Sequence, residues 1–205
     1  MALKVLHLST YDANGGAARA AYALHRAMLN QGIESRMHVA RKQSNDPTVT
    51  QGDPNRFRVA SELDRGLWKL QLSPVTTWRS PARFGSLTAD RINRSSADVV
   101  NLHWVTDGFL SIETIGKITK PIVWSMYDMW PFAGTEHYGA DTDTARWRTG
   151  YTKANRPDDE SGFDLDRWTY ERKLDNWCTR TQPIHMAPAS TWLESSTKSS
   201  ALMGD

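Results

Sequence analysis

The chain has 205 residues, enough to bury one sizeable core, and its 25 Lys and Arg against 23 Asp and Glu give no basic excess for nucleic-acid binding. A mean hydropathy of −0.58 and short apolar runs argue against a bilayer span. The N-terminus, one Lys and then Val5-Leu6-His7-Leu8 before polar residues, does not have the form of a secretory signal.

Lys4 to Ala21 reads as a buried strand, a polar turn, Gly15-Gly16 and a helix. A glycine turn of this kind leaves free N–H groups at the positive end of a helix, facing a crevice; the plain alternative is a tight turn without a ligand. Ala20, Leu24, Ala27 and Met28 mark the expected apolar face of that helix. A second strand follows over Ser35–Ala40, so the first forty residues predict a βαβ unit and a parallel sheet. Residues 43–55 carry loop chemistry. Arg56–Leu72 reads as one helix with Phe57, Ala60, Leu63, Leu67 and Leu70 as its apolar stripe. Its Arg56, Arg58, Arg65 and Lys69 would suit an anionic membrane surface, whereas Glu62 and Asp64 favour an ordinary solvated outer face.

After an irregular connection over residues 73–86, a short helix is expected at Ala89–Arg94, and a strand over Ala97–Trp104 that delivers His103 and Trp104 at its carboxyl end. His103 reads equally well as a core histidine and as a ligand-binding one. A helix over Phe109–Ile118 leads to a strand at Ile122–Met126, which ends in Tyr127-Asp128-Met129-Trp130. Two strands finishing in polar and aromatic residues match the needs of a small-molecule site in an α/β sheet. Residues 133–162 form a long polar stretch, functional or mobile by its length. Its Glu136 and His137 are adjacent, which is not metal-ligand spacing, and no metal is inferred. Asp164 or Asp166 caps a helix through Trp177 whose charges at 171–173 read as a solvated face. A strand at Pro183–Pro188 and a helix at Thr191–Lys198, capped by Ser190, complete the chain. The single cysteine, Cys178, excludes an internal disulfide framework, fits a reducing compartment and reads as packing rather than nucleophile. Nine Trp suit cores, sugar-stacking surfaces and interfaces alike.

Six motifs stand in order along the chain: Lys4-Val5-Leu6-His7-Leu8-Ser9 with Gly15-Gly16-Ala17-Ala18-Arg19-Ala20-Ala21; Asn101-Leu102-His103-Trp104-Val105 with Gly108-Phe109-Leu110-Ser111-Ile112; Val123-Trp124 with Asp128-Met129-Trp130-Pro131-Phe132 and Gly134; His137-Tyr138; Arg146-Trp147-Arg148-Thr149-Gly150; and Ala187-Pro188-Ala189-Ser190-Thr191-Trp192-Leu193. Together they resemble the N-terminal, acceptor-side domain of a bacterial family 4 glycosyltransferase of surface-polysaccharide or lipopolysaccharide assembly. The resemblance implies an α/β fold with a Rossmann-like parallel sheet flanked by helices, one half of a GT-B fold, spanning 1–205 with the long loop at 133–162. It implies a cytoplasmic enzyme, with peripheral contact at the inner face of the membrane left open.

The reaction so implied is transfer of a sugar from a nucleotide-sugar, with retention, to a cell-surface glycan or lipid-linked acceptor. The nucleotide-sugar is a co-substrate; no cofactor, metal or nucleic acid is implied. A second Rossmann-like domain would grip the nucleotide. It is not expected within 205 residues, so the chain alone is expected to be inactive. The implied substrate-binding residues are Gly15, Gly16, Arg19, His103, Trp104, Asp128, Trp130 and His137, with hydroxyls on His103, Asp128 and His137 and stacking on Trp104 and Trp130. No catalytic base is assigned. Tyr127 stands where similar members usually have histidine. Cysteines that they often carry near Glu136, Thr144, Tyr151 and Arg156-Pro157 are absent here, so neither metal nor disulfide is carried over. The readings from other classes are a sugar- or nucleotide-binding domain without transfer activity, and a scaffold half that works with a separate donor-domain chain.

Overall fold

A computed structural model describes residues 2–204. The first strand, β1 (Lys4–Tyr11), is buried along most of its length and runs into the polar turn at Asp12–Gly15. Helix α1 (Gly16–Asn30) then packs back on the sheet through Ala18, Ala21 and His25. The expected apolar stripe is therefore displaced, since Ala20 and Ala27 face solvent. Small alanines gave the periodicity little to distinguish one face from the next.

Strand β2 (Glu34–Arg41) pairs parallel with β1, and a short β3 (Val49–Gln51), inside the stretch that reads as loop, pairs parallel with β2. Helix α2 (Pro54–Gly66) starts cleanly because the Asp53 side chain accepts from the N–H groups of Asn55 and Arg56, with Pro54 in the first turn. It ends earlier than its sequence pattern suggests. A 3-10 turn over Leu67–Leu70 passes into β4 (Gln71–Leu72). Its buried face is Ala60, Ser61 and Asp64, while Leu63 and Leu70 of the expected stripe are half exposed. Polar partners decide that rotation. Asp64 accepts from the backbone N–H groups of Ala82, Arg83 and Phe84, and Ser61 donates to Asp107.

Helix α3 (Ala89–Asn93) leads to β5 (Val99–Leu102), and α4 (Ile112–Gly116), capped by Ser111, leads to β6 (Ile122–Met126). The long polar stretch then holds only α5 (Arg146–Thr149) and β7 (Ser161–Gly162), the latter antiparallel to β4. Helix α6 (Leu165–Trp177), capped by Asp164, strand β8 (Ile184–Pro188) and helix α7 (Thr191–Lys198), capped by Ser190, close the fold.

The main sheet has six strands in the order β3-β2-β1-β5-β6-β8, all parallel. Strand order reverses direction between β1 and β5, giving the α/β, Rossmann-like arrangement with a crevice at the carboxyl ends of those two strands. The main core joins Leu8, Val100, Leu102, Ile122, Trp124 and Met126 of the sheet to Trp130, Phe132, Trp147 and Trp177. The tryptophans thus divide: Trp124, Trp130, Trp147 and Trp177 are core, whereas Trp78 and Trp192 are exposed.

The charges at 171–173 are not a uniform solvated face. Arg172 and Lys173 are buried, and only Glu171 is exposed. Arg172 grips Glu113 on α4 at 2.8 and 2.9 Å and donates to the Pro81 and Ala82 carbonyls. Lys173 Nζ donates to the carbonyls of Trp130, Ala133 and Gly134 at 2.5, 2.9 and 2.7 Å and lies 4.1 Å from the Trp130 ring centre. Burial pulls its pKa down. Three carbonyls, which only accept, nevertheless use three N–H donors, and only the ammonium supplies three. Cys178 is exposed rather than packed.

Candidate functional site

Three strands that end side by side supply the crevice. Tyr11 ends β1 and is followed by Asn14, Gly15 and Gly16; after β5 comes Trp104; after β6, Tyr127 and Asp128. With Ser9 and Tyr138 they line an open cleft of about 470 Å³. A cavity of about 550 Å³, which includes Lys4, Glu34, Arg36 and Ser95, lies at the amino ends of β1 and β2. Space favours the latter, but in open α/β sheets ligands bind at the carboxyl edge, where helix N-termini and loops converge.

Helix α1 begins at this cleft without a side-chain cap. Gly15 has φ 89° and ψ 172°, a conformation open essentially to glycine alone. A Cβ at Gly15 or Gly16 would meet nothing within 4 Å, so both face open space. The first turn of α1, with no acidic residue in it, therefore presents N–H donors and the positive end of the helix dipole to whatever enters.

Asp128 also lines the cleft, with 9% of its surface exposed. Its Oδ1 accepts from the Trp130 backbone N–H at 3.1 Å, and its Oδ2 lies 2.6 Å from His137 Nδ1. His137 Nε2 is 2.8 Å from Ser80 Oγ. The short carboxylate contact assigns the proton to Nδ1, so the Ser80 hydroxyl donates to Nε2. Trp104 Nε1 also lies 3.3 Å from His137 Nδ1. A nitrogen that donates to Asp128 cannot accept as well, so that contact is packing.

Behind Tyr127 runs a second buried chain. Tyr127 Oη is 3.1 Å from His103 Nδ1, and His103 Nε2 is 2.9 Å from His7 Nδ1. Burial, with the neighbouring His7 ring, lowers the His103 pKa to about 3. Burial, with His25, lowers His7 to about 4. Both rings are neutral at neutral pH and share one proton across their contact. Burial likewise raises the Tyr127 phenol, which stays protonated. On the far side Tyr11 donates to Asp107 at 3.0 Å, and burial with that carboxylate pushes its phenol up to about 12. Asp107, at φ 59°, also holds Ser61 and Arg65 of α2. Gly108 after it (φ 82°) is required by packing, since a Cβ there would fall 2.3 Å from the Ser61 nitrogen.

Of the residues expected from the sequence, Gly15, Gly16, Trp104 and Asp128 line the cleft together. His103 and His137 are buried behind the lining with their ring nitrogens engaged, so they orient Tyr127 and Asp128 rather than meet a ligand themselves. Arg19 is exposed on α1 and is not part of the lining. Trp130 is not a stacking platform: it is 2% exposed, packed between Trp124 and Trp177 at 5.9 and 5.8 Å, and its indole N–H donates to the Ser80 carbonyl. Trp104 is only part-exposed, with Tyr11 at 6.2 Å and His137 at 5.5 Å.

The aromatic left free is Tyr138, 66% exposed on the cleft rim. Ser9, Tyr11, Asn14, Tyr127 and Tyr138 also line the cleft, though none of them is among the implied substrate-binding residues. Position is the signal for two of them, Tyr127 directly after a strand and Tyr138 directly after His137. Glu136 beside them accepts from the Tyr151 hydroxyl, and its Oε2 is buried without a partner. Burial and the Asp166 charge raise its carboxyl to about 7.

Among the described residues no group of three His, Cys, Asp or Glu could hold a metal ion, and no helix is long and apolar enough to cross a membrane. The fold and cleft define a Rossmann-like α/β domain with an open crevice at its topological switch point. Comparison of the chain with family models, curated proteins and solved structures finds no match.

Proposed function

We propose that this chain is the acceptor-side half of a retaining glycosyltransferase, its cleft at β1, β5 and β6 holding a sugar between the open N-terminus of α1 and Asp128. The observation that carries the reading is that cleft. It brings together uncapped helix N–H donors and a carboxylate whose orientation is fixed by His137, itself held by Ser80. Helix N–H groups suit a phosphate or hydroxyl oxygen; the carboxylate accepts from sugar hydroxyls; Tyr138 offers an aromatic face. On this reading the nucleotide-sugar is gripped mainly by a second Rossmann-like domain, and transition-state charge is stabilised between the two. The motif resemblance supplies the reaction, and the lining supplies the recognition.

A second reading, a sugar-binding domain without transfer, is favoured by one feature. Both imidazoles near the cleft are buried with their ring nitrogens engaged, so neither is free to exchange a proton with a bound sugar. Incubating the chain with labelled nucleotide-sugars and candidate acceptors tests both readings. The proposal expects saccharide binding without turnover by this chain alone, and turnover when a donor domain is supplied. Robust transfer by this chain alone would overturn the two-domain reading. Binding with no transfer even beside a donor domain would favour the binding domain.

The same proposal allows a lipid-linked acceptor approached at a membrane. Val59 and Leu63 of α2, Leu70, Leu72 and Phe163 are exposed, and the Phe163 N–H donates to the Leu70 carbonyl, joining the two segments. Arg56, Arg58 and Lys69 lie on the same stretch. An apolar patch with basic neighbours suits an anionic lipid surface.

A further inference from the structure

A second, smaller cleft of about 200 Å³ opens between the middle of β2, the start of α2 and α3, and it shares no lining residue with the cleft at Gly15. His38, Leu87 and Phe109 form its buried part, and Asp53, Arg56 and Arg91 its exposed rim. His38 is 7% exposed, with its ring 6.2 Å from that of Phe109.

Its Nδ1 lies 2.8 Å from Thr50 Oγ1. The Thr50 hydroxyl donates to the Met37 carbonyl at 3.3 Å, so its oxygen accepts from Nδ1–H. The bare lone pair therefore sits on Nε2, which is buried and has no hydrogen-bond partner. A Cβ added at Gly52, also on the lining, would lie 3.6 Å from that nitrogen. Burial and the Arg91 charge lower the ring's pKa to about 4, so Nε2 remains an acceptor at neutral pH.

A buried acceptor without a donor is uncommon in a native fold and calls for a group that supplies one. The rim carries two guanidiniums against one carboxylate, Asp53, whose Oδ1 accepts from the Asn55 and Arg56 N–H groups. Arg91 is in no ion pair among the described residues, and Arg56 is only loosely held by Asp53 at 3.8 Å. The N–H groups of Asn55 and Arg56 at the start of α2 are already taken by Asp53, so the guanidiniums, not the helix end, are the anion donors. Guanidinium groups match phosphate oxygens in shape and charge. The cleft is smaller than typical pockets for larger ligands.

We propose that this cleft binds a small phosphate ester of a polyol, with the phosphate on Arg91 and Arg56 and an alcohol hydroxyl donating to His38 Nε2. It stands on its own observations, and failure of the sugar-transfer reading would leave it intact.

Glycerol 3-phosphate, inorganic phosphate and glycerol, titrated separately into the 15N-labelled chain, test it. Glycerol 3-phosphate is expected to give saturable shifts at the Gly52 and Ser86 amides and at His38 Nε2, with binding at least tenfold weaker in Arg91→Gln, a change on an exposed side chain. His38→Phe is expected to reduce the affinity for the ester to that for inorganic phosphate. An unchanged Nε2 signal at high ester concentration, as water alone in the cleft would give, would overturn the proposal. So would Arg91→Gln binding like the parent, or equal affinity of the parent for ester and inorganic phosphate.

Discussion

Replacing Lys173 with Met keeps most of the side chain's length and apolar volume but removes three N–H donors from a fully buried site. Three carbonyls, of Trp130, Ala133 and Gly134, then lose their partner, and each orphaned buried acceptor costs about 1–3 kcal/mol. Releasing the ammonium from the interior returns part of that, since a buried charge carries several kcal/mol of desolvation. The balance is a loss of about 3–5 kcal/mol, the range for removing one member of a buried charged set. Urea unfolding reads it as a lower midpoint at unchanged slope. The exposed Glu171, whose partner Arg167 is 3.7 Å away, is the internal control. Glu171→Ala is expected to stay within about 0.5 kcal/mol. The carbonyls that Lys173 holds belong to the turn between Asp128 and His137, where the Met129 N–H donates to the His137 carbonyl at 3.0 Å. The variant is therefore expected to loosen the cleft wall as well. A Lys173→Met chain within about 1 kcal/mol of the parent would refute the view that this lysine anchors the turn.

The Glu136 carboxyl, raised to about 7 from 4.5 by burial and Asp166, keeps its proton longer in the folded chain. Its stabilising share is full below pH 4.5 and lost as pH rises through about 7. Glu136→Gln should abolish that fall, so denaturation midpoints of parent and variant, compared at each pH, should separate between pH 5 and 8; parallel curves would exclude it. Buried His7 and His38 act in the opposite sense, their stability present above pH 6.5 and lost as pH falls through about 4. Asp128→Asn should weaken saccharide binding by about tenfold or more, the worth of a hydrogen bond to a charged group, and Tyr138→Ala by about threefold to tenfold, the worth of one aromatic contact. Calorimetric titration with monosaccharides checks both, and unchanged affinity would remove those side chains from the site. Leu63→Asp, at a half-exposed position on α2, should reduce pelleting with phosphatidylglycerol vesicles. Binding by the parent should fall as salt rises, and salt-independent binding would exclude the electrostatic part.

The chain's local chemistry fixes much of this molecule without help. Buried β runs, glycine turns and capping residues suffice for β1, β2, β6, α6 and α7, and for the parallel arrangement they imply. That Gly15, Gly16, Trp104 and Asp128 line one cleft is legible because strand ends carry them to one edge of the sheet. Tertiary structure decides what periodicity cannot. The face that α2 buries follows from Asp64 and Ser61 finding backbone and carboxylate partners 18 and 46 residues away. The fate of Lys173 follows from three carbonyls about forty residues upstream, which no local pattern announces. Trp130 reads as a sugar platform in sequence and becomes core because Trp124, Trp177 and Lys173 close around it. His103 and His137 move one layer back for the same reason, since distant groups, His7 and Ser80, engage their ring nitrogens. Residue type specifies which groups can recognise a ligand; long-range packing specifies which of them remain free to do so.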